Sequence, residues 1–586
     1  ESIINNFNDI KEKRKYPSLQ SNIYDLKNSN EKGIGIASTY MFENFHLLDE
    51  NKKLEILQRI KIYDVSKDLE STSYVDIEVE DTNNFYCGNF GLVSVHNCGI
   101  GLDISTLRPE GTSVSNASRT TTGAWSFADF YSYITRMIGQ GSRRGALMLT
   151  MDVCHPDIIK FVTSKHDRTK VTGANISVKL NNKFLKAVEN NEEYEQRWIS
   201  KENPNLKVIN KINAKDIWKV IVNSATKTAD PGLIFWDSIK ENLPADYYKE
   251  LETICVNPCS EIPLGAFDSC RLISINLTGY VENPFEKNKC YFDIKKFKKD
   301  VQLAVHLLDN LLDLEFELIS EIKKVCVEGF EKDLWDKFEN TGRLGRRIGL
   351  GTHGLADTLS QLCLKYDSSD SIKMIDHIYK VLRNEAYKYS IELAKSRGAF
   401  PLFNWNNEKN CAFIKRLPKE LQSAIKKYGR RNVALLTQAP TGSVSIISKS
   451  GKFNKFNISS GIEPVFRNSY IRRKKINPGD NNAIVDYVDV LGDKWQNYMV
   501  YHSNVENYIE KYNSNKENLP DYFISSDKID WQKRIEIQAT EQQYIDHAIS
   551  STINLPRGTN SETVEKIYFE AWKKGLKGIT VYVDGC

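Results

Sequence analysis

The stretch Val256 to Leu277, VNPCSEIPLGAFDSCRLISINL, sets an amide, a thiol and a carboxylate at alternate positions, Asn257, Cys259 and Glu261, with a second thiol at Cys270. In an extended chain, residues at i, i+2 and i+4 share a face, so one small site can hold all three groups. An arbitrary cysteine is more often a small apolar residue buried in a turn. Cys270, on a strand-like segment that follows, sets this stretch apart. Outward from it, strand-like runs such as GALMLTMDV (145–153) and VALLTQAP (433–440) alternate with helical windows such as KDVQLAVHLLDNLLDLEFELISEIKK (299–324). Alternation of this kind predicts an α/β fold. Glycine-rich joints at 99–101, 139–145 and 342–354 punctuate it, and the polar stretch Lys449 to Ser460 reads as a surface loop.

Composition narrows the function classes. The 586 residues carry 80 Lys and Arg against 76 Asp and Glu, a net charge of +4. That balance leaves no polycationic face, so direct nucleic-acid binding is not expected. No apolar run is long enough to span a bilayer, and the opening residues ESIINNFNDIKEKRK lack the apolar core of a signal peptide. A soluble, cytoplasmic protein without a membrane partner is expected. The eleven cysteines are scattered, without paired spacing or a metal-ligand pattern, and read as free thiols suited to redox or radical chemistry.

Two further segments carry polar chemistry. In APTGSVSIIS (439–448), a strand ends at Pro440 and residues Thr441, Gly442, Ser443, Val444 and Ser445 open a helix. Free N–H groups and hydroxyls at a helix start suit phosphate, although a plain helix cap is the commoner use. SKHDRTKVTG (164–173) is a polar, basic loop before the strand-like ANISVKL, with Lys165, Arg168 and Lys170 as its cations.

These segments together resemble the large subunit of ribonucleotide reductase, most closely in the style of its adenosylcobalamin-dependent class. GIGLDISTLRPEGTSV (99–114), SRRGALMLTMDVCHPDI (142–158), GRRIGLGTHGLAD (345–357), SSGIEPVFRNSY (459–470), HAISSTINLPRGT (547–559) and GLKGITVYVDG (575–585) extend the likeness over residues 98–586. The resemblance implies part of a ten-stranded α/β barrel with a central active-site loop. It implies that Cys259 carries the thiyl radical, Glu261 is the base for the ribose 3'-hydroxyl and Asn257 bonds the ribose hydroxyls. Cys270 would be one of two reducing thiols, its partner lying in a segment upstream of those present. The 441–445 segment would hold substrate phosphate, and Lys165, Arg168 and Lys170 would belong to the loop that reads a deoxynucleotide or ATP effector. Adenosylcobalamin, a nucleotide substrate, a thioredoxin-like or other dithiol reductant and a homodimer partner follow from the same resemblance.

Residues 1–97 have a different character. An amphipathic helix is expected at Phe45 to Ile60, then two or three short strands in YVDIEVEDTNNFYCGNFGLVSVHNC (74–98). The latter resembles the C-terminal end of an intein, in which His96 assists, Asn97 cyclises and Cys98 begins the host protein. Asn83 stands where that family usually has His, and no N-terminal splicing half precedes it. A separate N-terminal fragment is therefore an expected partner, and the chain, starting at Glu1 and ending at Cys586, reads as a fragment or processed product. Three readings stay open on the sequence: a reductase with its own cobalamin radical source, one served by a separate radical-generating subunit, and a splicing element with reductase sequence as passenger.

Overall fold

The computed structural model describes residues 75–77, 84–87, 92–95 and 99–585, apart from 115–118, 138, 141–142, 327–328, 478–482, 491 and 515–517. The expected helix at 45–60, Asn83, His96, Asn97 and Cys98 lie outside the described residues. Three short strands, β1 (Val75–Ile77), β2 (Asn84–Cys87) and β3 (Leu92–Val95), pair antiparallel in sequence order.

The first layer begins with β4 (Gly99–Asp103), followed by helix α1 (Ala124–Met137), β5 (Ala146–Asp152), β6 (Asn175–Leu180), α2 (Ala214–Thr228) and β7 (Gly232–Phe235). These four strands run parallel in the order β7, β6, β5, β4. Their near-continuous apolar composition fits strands covered on both faces. Asn213 opens α2 by accepting from Lys215 N, and the helix buries Ile217, Trp218, Ile221 and Val222 on the sheet.

A short hairpin follows, β8 (Cys255–Val256) with β9 (Pro263–Leu264), and the chain then enters β10 (Leu272–Asn276). Helix α3 (Ile294–Val325), capped by Asp293, contains the whole expected 299–324 window. Next come β11 (Gly349–His353), parallel to β10, and helices α4 (Leu355–Gln361) and α5 (Ser369–Arg397). Helices α3 and α5 cover β10 and β11 with a second core around Val305, Leu308, Ile378 and Leu382.

The run 433–440 is strand-like but forms only isolated bridges, Leu436 to Leu350 of β11 and Gln438 to Ile549. It is shared between two neighbours: Thr437 N donates to Leu350 O on one side and Ser550 N to Gln438 O on the other. After helix α6 (Gly442–Ile447), the last elements are β12 (Thr552–Leu555), α7 (Ser561–Lys573) and β13 (Gly578–Val583). Strand β13 pairs parallel with β12 and antiparallel with β7, joining the end of the chain to the first layer. The expected α/β class holds, whereas among the described residues the strands do not close into a continuous barrel.

The stretch 449–460 is the expected loop, exposed at Lys452, Asn454 and Phe456, but it turns inward at both ends. Ser450, Ile458 and Ser459 are buried, because Gln361 Nε2 donates to Ser450 Oγ (3.1 Å) and Ser459 N to an Asp357 carboxylate oxygen (2.9 Å). No described helix is long and apolar enough to cross a membrane.

Candidate active site

The triplet Asn257, Cys259, Glu261 does not lie on an extended strand. Pro258, with its restricted φ, and Ser260, at φ 65°, close a turn between β8 and β9 in which Ser260 N donates to Asn257 O (2.9 Å). Asn257 N donates to Ile262 O (3.1 Å), and the Asn257 side chain accepts from Ile262 N (3.0 Å). Strand alternation therefore does not group the three residues; the turn does. A hairpin can lie here because β4 is glycine-rich where it is crossed: a Cβ on Gly101 would meet Val256 O at 2.0 Å, and one on Gly99 would meet Pro258 Cγ at 2.4 Å.

Glu261 is fully buried, and neither carboxylate oxygen has a hydrogen-bond partner. Burial pushes its pKa up to about 7, partly opposed by the neighbouring Asn257 amide. The free-energy equivalent of that shift is about 3 kcal/mol. An acid held unpaired at this cost is poised to exchange a proton near neutral pH. Burial first, and the Glu261 charge second, push the Cys259 thiol up to about 12, so it is a protonated S–H rather than a thiolate. Cys259 is half-buried, whereas Cys270 is buried and raised further by desolvation. Both are free thiols.

A cavity of about 210 Å³ joins Cys259 to the distant polar segment. Its lining includes Cys259, Ser274 of β10, Gly349 and Gly351 of β11, and Pro440 to Val444. Helix α6 starts at Gly442, as the sequence predicts, with Thr441 in a left-handed conformation (φ 53°) and its hydroxyl accepting from Gly461 N at 2.8 Å. Ser445 is buried one turn on. Cys270 sits behind the wall: a Cβ on Gly349 would come within 2.7 Å of its sulfur. The structure thus brings Asn257, Cys259, Glu261, Cys270 and the 441–445 segment together.

The basic loop lies elsewhere. Lys165 pairs with Asp230 (2.7 Å) and Lys170 with Asp129 of α1 (3.2 Å), while Arg168 is exposed. The same loop is stapled to α1 by Val171 N to Asp129 (2.9 Å) and Gly173 N to Ser132 Oγ (2.8 Å).

The sequence reading missed the support beneath the site. Glu261 O accepts from Thr437 Oγ1 (2.7 Å) and Ala548 N (2.9 Å), which pins the hairpin to both neighbouring segments. Arg347, wholly buried, donates to Asp268 (2.7 Å), to Pro263 O (3.2 Å) and to His547 Nε2 (3.0 Å). Next to it, Asp546 accepts from Leu435 N and Leu436 N (both 2.8 Å) and from Tyr387 (2.6 Å). Against the burial that would raise it, His547 and these donors hold Asp546 at about 2. Lys577 of the 575–585 motif, lowered by burial to about 7, donates to the carbonyls of Asp546 (2.6 Å) and His547 (2.7 Å). Residues so far apart in the chain show no local pattern; only the unusual charge in the apolar contexts of GRRIGL and YIDHAI hints at them.

A layered α/β scaffold carries a thiol, an amide and a buried carboxyl on one hairpin, and the thiol shares a cavity with a polar helix start. Residues 83–582 match the model of the ribonucleotide reductase barrel domain, and the chain belongs to that family. It is 31% identical over 508 residues to a vitamin B12-dependent ribonucleoside-diphosphate reductase of Thermoplasma acidophilum, covering 85% of this chain and 58% of that protein. A protein of the same description from Mycobacterium tuberculosis is 29% identical over 83% of this chain and 63% of its own length. The ribonucleoside-diphosphate reductase subunit alpha of Chlamydia muridarum is 22% identical over 86% of this chain and 51% of its own length. The chain therefore spans about three fifths of the first two relatives and half of the third.

Proposed function

We propose that the chain is the catalytic part of a cobalamin-dependent ribonucleotide reductase, an oxidoreductase that converts ribonucleotides to deoxyribonucleotides by thiyl-radical chemistry. The observation that carries this is a cavity lined by both Cys259 and the 441–444 helix start. In this reading, α6 and its preceding hydroxyls hold the substrate phosphate, which sets the ribose against the hairpin. Cys259 exchanges hydrogen with the ribose 3'-carbon, a role suited to an S–H bond kept protonated. Glu261 takes the 3'-hydroxyl proton, Asn257 bonds the ribose hydroxyls, and Cys270 supplies reducing electrons with a second thiol. The two strand sets correspond to the halves of a ten-stranded barrel.

Among these groups Cys259 is the one open enough to meet a bulky radical source, which fits adenosylcobalamin. When bound, that cofactor supplies the radical. An external dithiol protein regenerates the thiols. A homodimer that binds a deoxynucleotide or ATP effector fits α1, which exposes Phe127, Phe130, Tyr133 and Met137 beside the loop of Lys165, Arg168 and Lys170. Residues 74–98 are read as the C-terminal end of an intein, with His96, Asn97 and Cys98 as its splicing residues and a separate N-terminal fragment as its partner.

The test is turnover by the ligated or complemented enzyme. Cys259→Ser abolishes deoxynucleotide formation, because an O–H bond is too strong to be radicalised by the same initiator. Cys270→Ser still permits the radical step but not sustained turnover with dithiol reductant. Substantial product from the Cys259 variant would remove that residue from the mechanism.

A further inference from the structure

A chain of three buried side chains runs back from the cavity wall and takes no part in the chemistry above. Strands β10 and β11 pair with Ser274 opposite Gly351 and Asn276 opposite His353, so these four residues share one face. Ser274 and Gly351 line the cavity. The Ser274 hydroxyl lies 2.9 Å from His353 Nδ1, and His353 Nε2 lies 2.8 Å from the hydroxyl of Ser448, the residue that ends α6. Ser448 in turn donates to Val444 O within α6, at 2.9 Å. Ser274, His353 and Ser448 are all buried.

These bonds fix where each proton goes. A carbonyl oxygen only accepts, so the one Ser448 proton goes to Val444, and His353 Nε2 must carry the hydrogen that it shares with Ser448. Burial holds the imidazole neutral, lowered to about 3, so Nδ1 is a bare acceptor and takes the Ser274 proton. Ser274 makes no other side-chain hydrogen bond among the described residues. Its oxygen therefore has lone pairs to offer the cavity and no proton to give.

We propose that Ser274 is a further binding residue of this site, which accepts a hydrogen bond from a hydroxyl of the bound ribose, and that His353 and Ser448 are positioning residues that keep it an acceptor. The inference rests on the nucleotide reading above and extends it to a residue outside the hairpin. Phosphate oxygens are themselves acceptors and are suited by the N–H groups at the start of α6, not by the Ser274 oxygen. The donors that a ribonucleotide carries between its phosphate and its base are the ribose hydroxyls. The same oxygen would leave a deoxygenated sugar without a partner at this point, so the wall favours a ribonucleotide over an analogue that lacks the bonded hydroxyl.

Equilibrium calorimetry with uridine 5'-diphosphate and its 2'-deoxy and 3'-deoxy analogues tests this, uracil having no exocyclic amine to stand in for a hydroxyl. Ser274→Ala should bind the ribonucleotide about fivefold more weakly than the unmutated chain, the size of one ordinary hydrogen bond. It should match the unmutated chain on the analogue that lacks the bonded hydroxyl, which identifies that hydroxyl as 2' or 3'. Ser448→Ala should lower the same preference for the ribonucleotide, because His353 Nε2 loses its acceptor and the tautomer that donates to Ser274 gains. Equal weakening on all three ligands in Ser274→Ala, or weakening on none, overturns the binding role. An undiminished preference in Ser448→Ala overturns the positioning role. An unmutated chain that binds none of the three brings down the nucleotide reading, and this inference with it, which sets that failure apart from the other two.

Discussion

Glu261 shows what burial does to a single residue. Its position in a turn is ordinary, but a carboxyl with no partner in a closed interior titrates near 7 instead of 4.5. The raised value means that the acid form predominates below about pH 7 and the base form above it. Reductase activity that depends on Glu261 as base should therefore rise with pH through that region. Replacement by Gln keeps shape and removes the base, so we expect a rate loss of about 10²-fold or more and the disappearance of that limb from the kcat/KM profile, with KM little changed. An unaltered profile in Glu261→Gln would reduce the carboxyl to a structural role.

Strand β11 and helix α6 give the matching argument for elements. Gly351 is where β11 passes closest to the 433–440 run, and a Cβ there would sit 2.2 Å from Thr437 O. Backbone cannot yield as a flexible side chain can, so Gly351→Ala should push the segments apart and lower the melting temperature by several degrees, in line with an overpacking cost of about 1–3 kcal/mol. Gly442, at the start of α6, is an exposed lining residue of the cavity and has nothing within 4 Å of an added Cβ. Gly442→Ala should leave the melting temperature unchanged and weaken nucleotide binding. Calorimetry and equilibrium binding on both variants separate the two effects, and an Ala at 442 that binds nucleotide normally argues against the phosphate role of this helix start.

For the whole molecule, the question is how residues 1–97, of which 83–97 fall inside the family match, relate to the rest of the chain. Asn97 has the side-chain amide needed to release the chain at the 97/98 junction by attacking its own carbonyl. The chain incubated with thiol near neutral pH should slowly yield a product beginning at Cys98. Asn97→Ala should stop this and His96→Ala should slow it. If residues 74–98 end an intein, Asn83 at the position where that family usually has His predicts slow cleavage even in the unmutated chain. Equal cleavage in Asn97→Ala would point to a contaminating protease instead.

The alternation of strands and helices, the 299–324 helix and the start of α6 were legible in the sequence, because each rests on local periodicity or on a short contiguous motif. The local conformation of the triplet was misjudged. Period-two spacing suggests an extended chain, but Pro258 and a left-handed Ser260 turn it, and the glycines of β4 make room for the result. The buried ends of the 449–460 loop were missed for a related reason: polar residues read as solvated until their partners, Asp357 and Gln361, come from another part of the chain. The same holds for Arg347, Asp546, His547 and Lys577, whose charges are tolerable only because each meets the others inside the fold. Local pattern thus determined the elements and the chemically able residues. The desolvation of Glu261 and the cavity that joins Cys259 to the 441–444 segment were decided by tertiary structure, since both depend on which distant segments exclude water together.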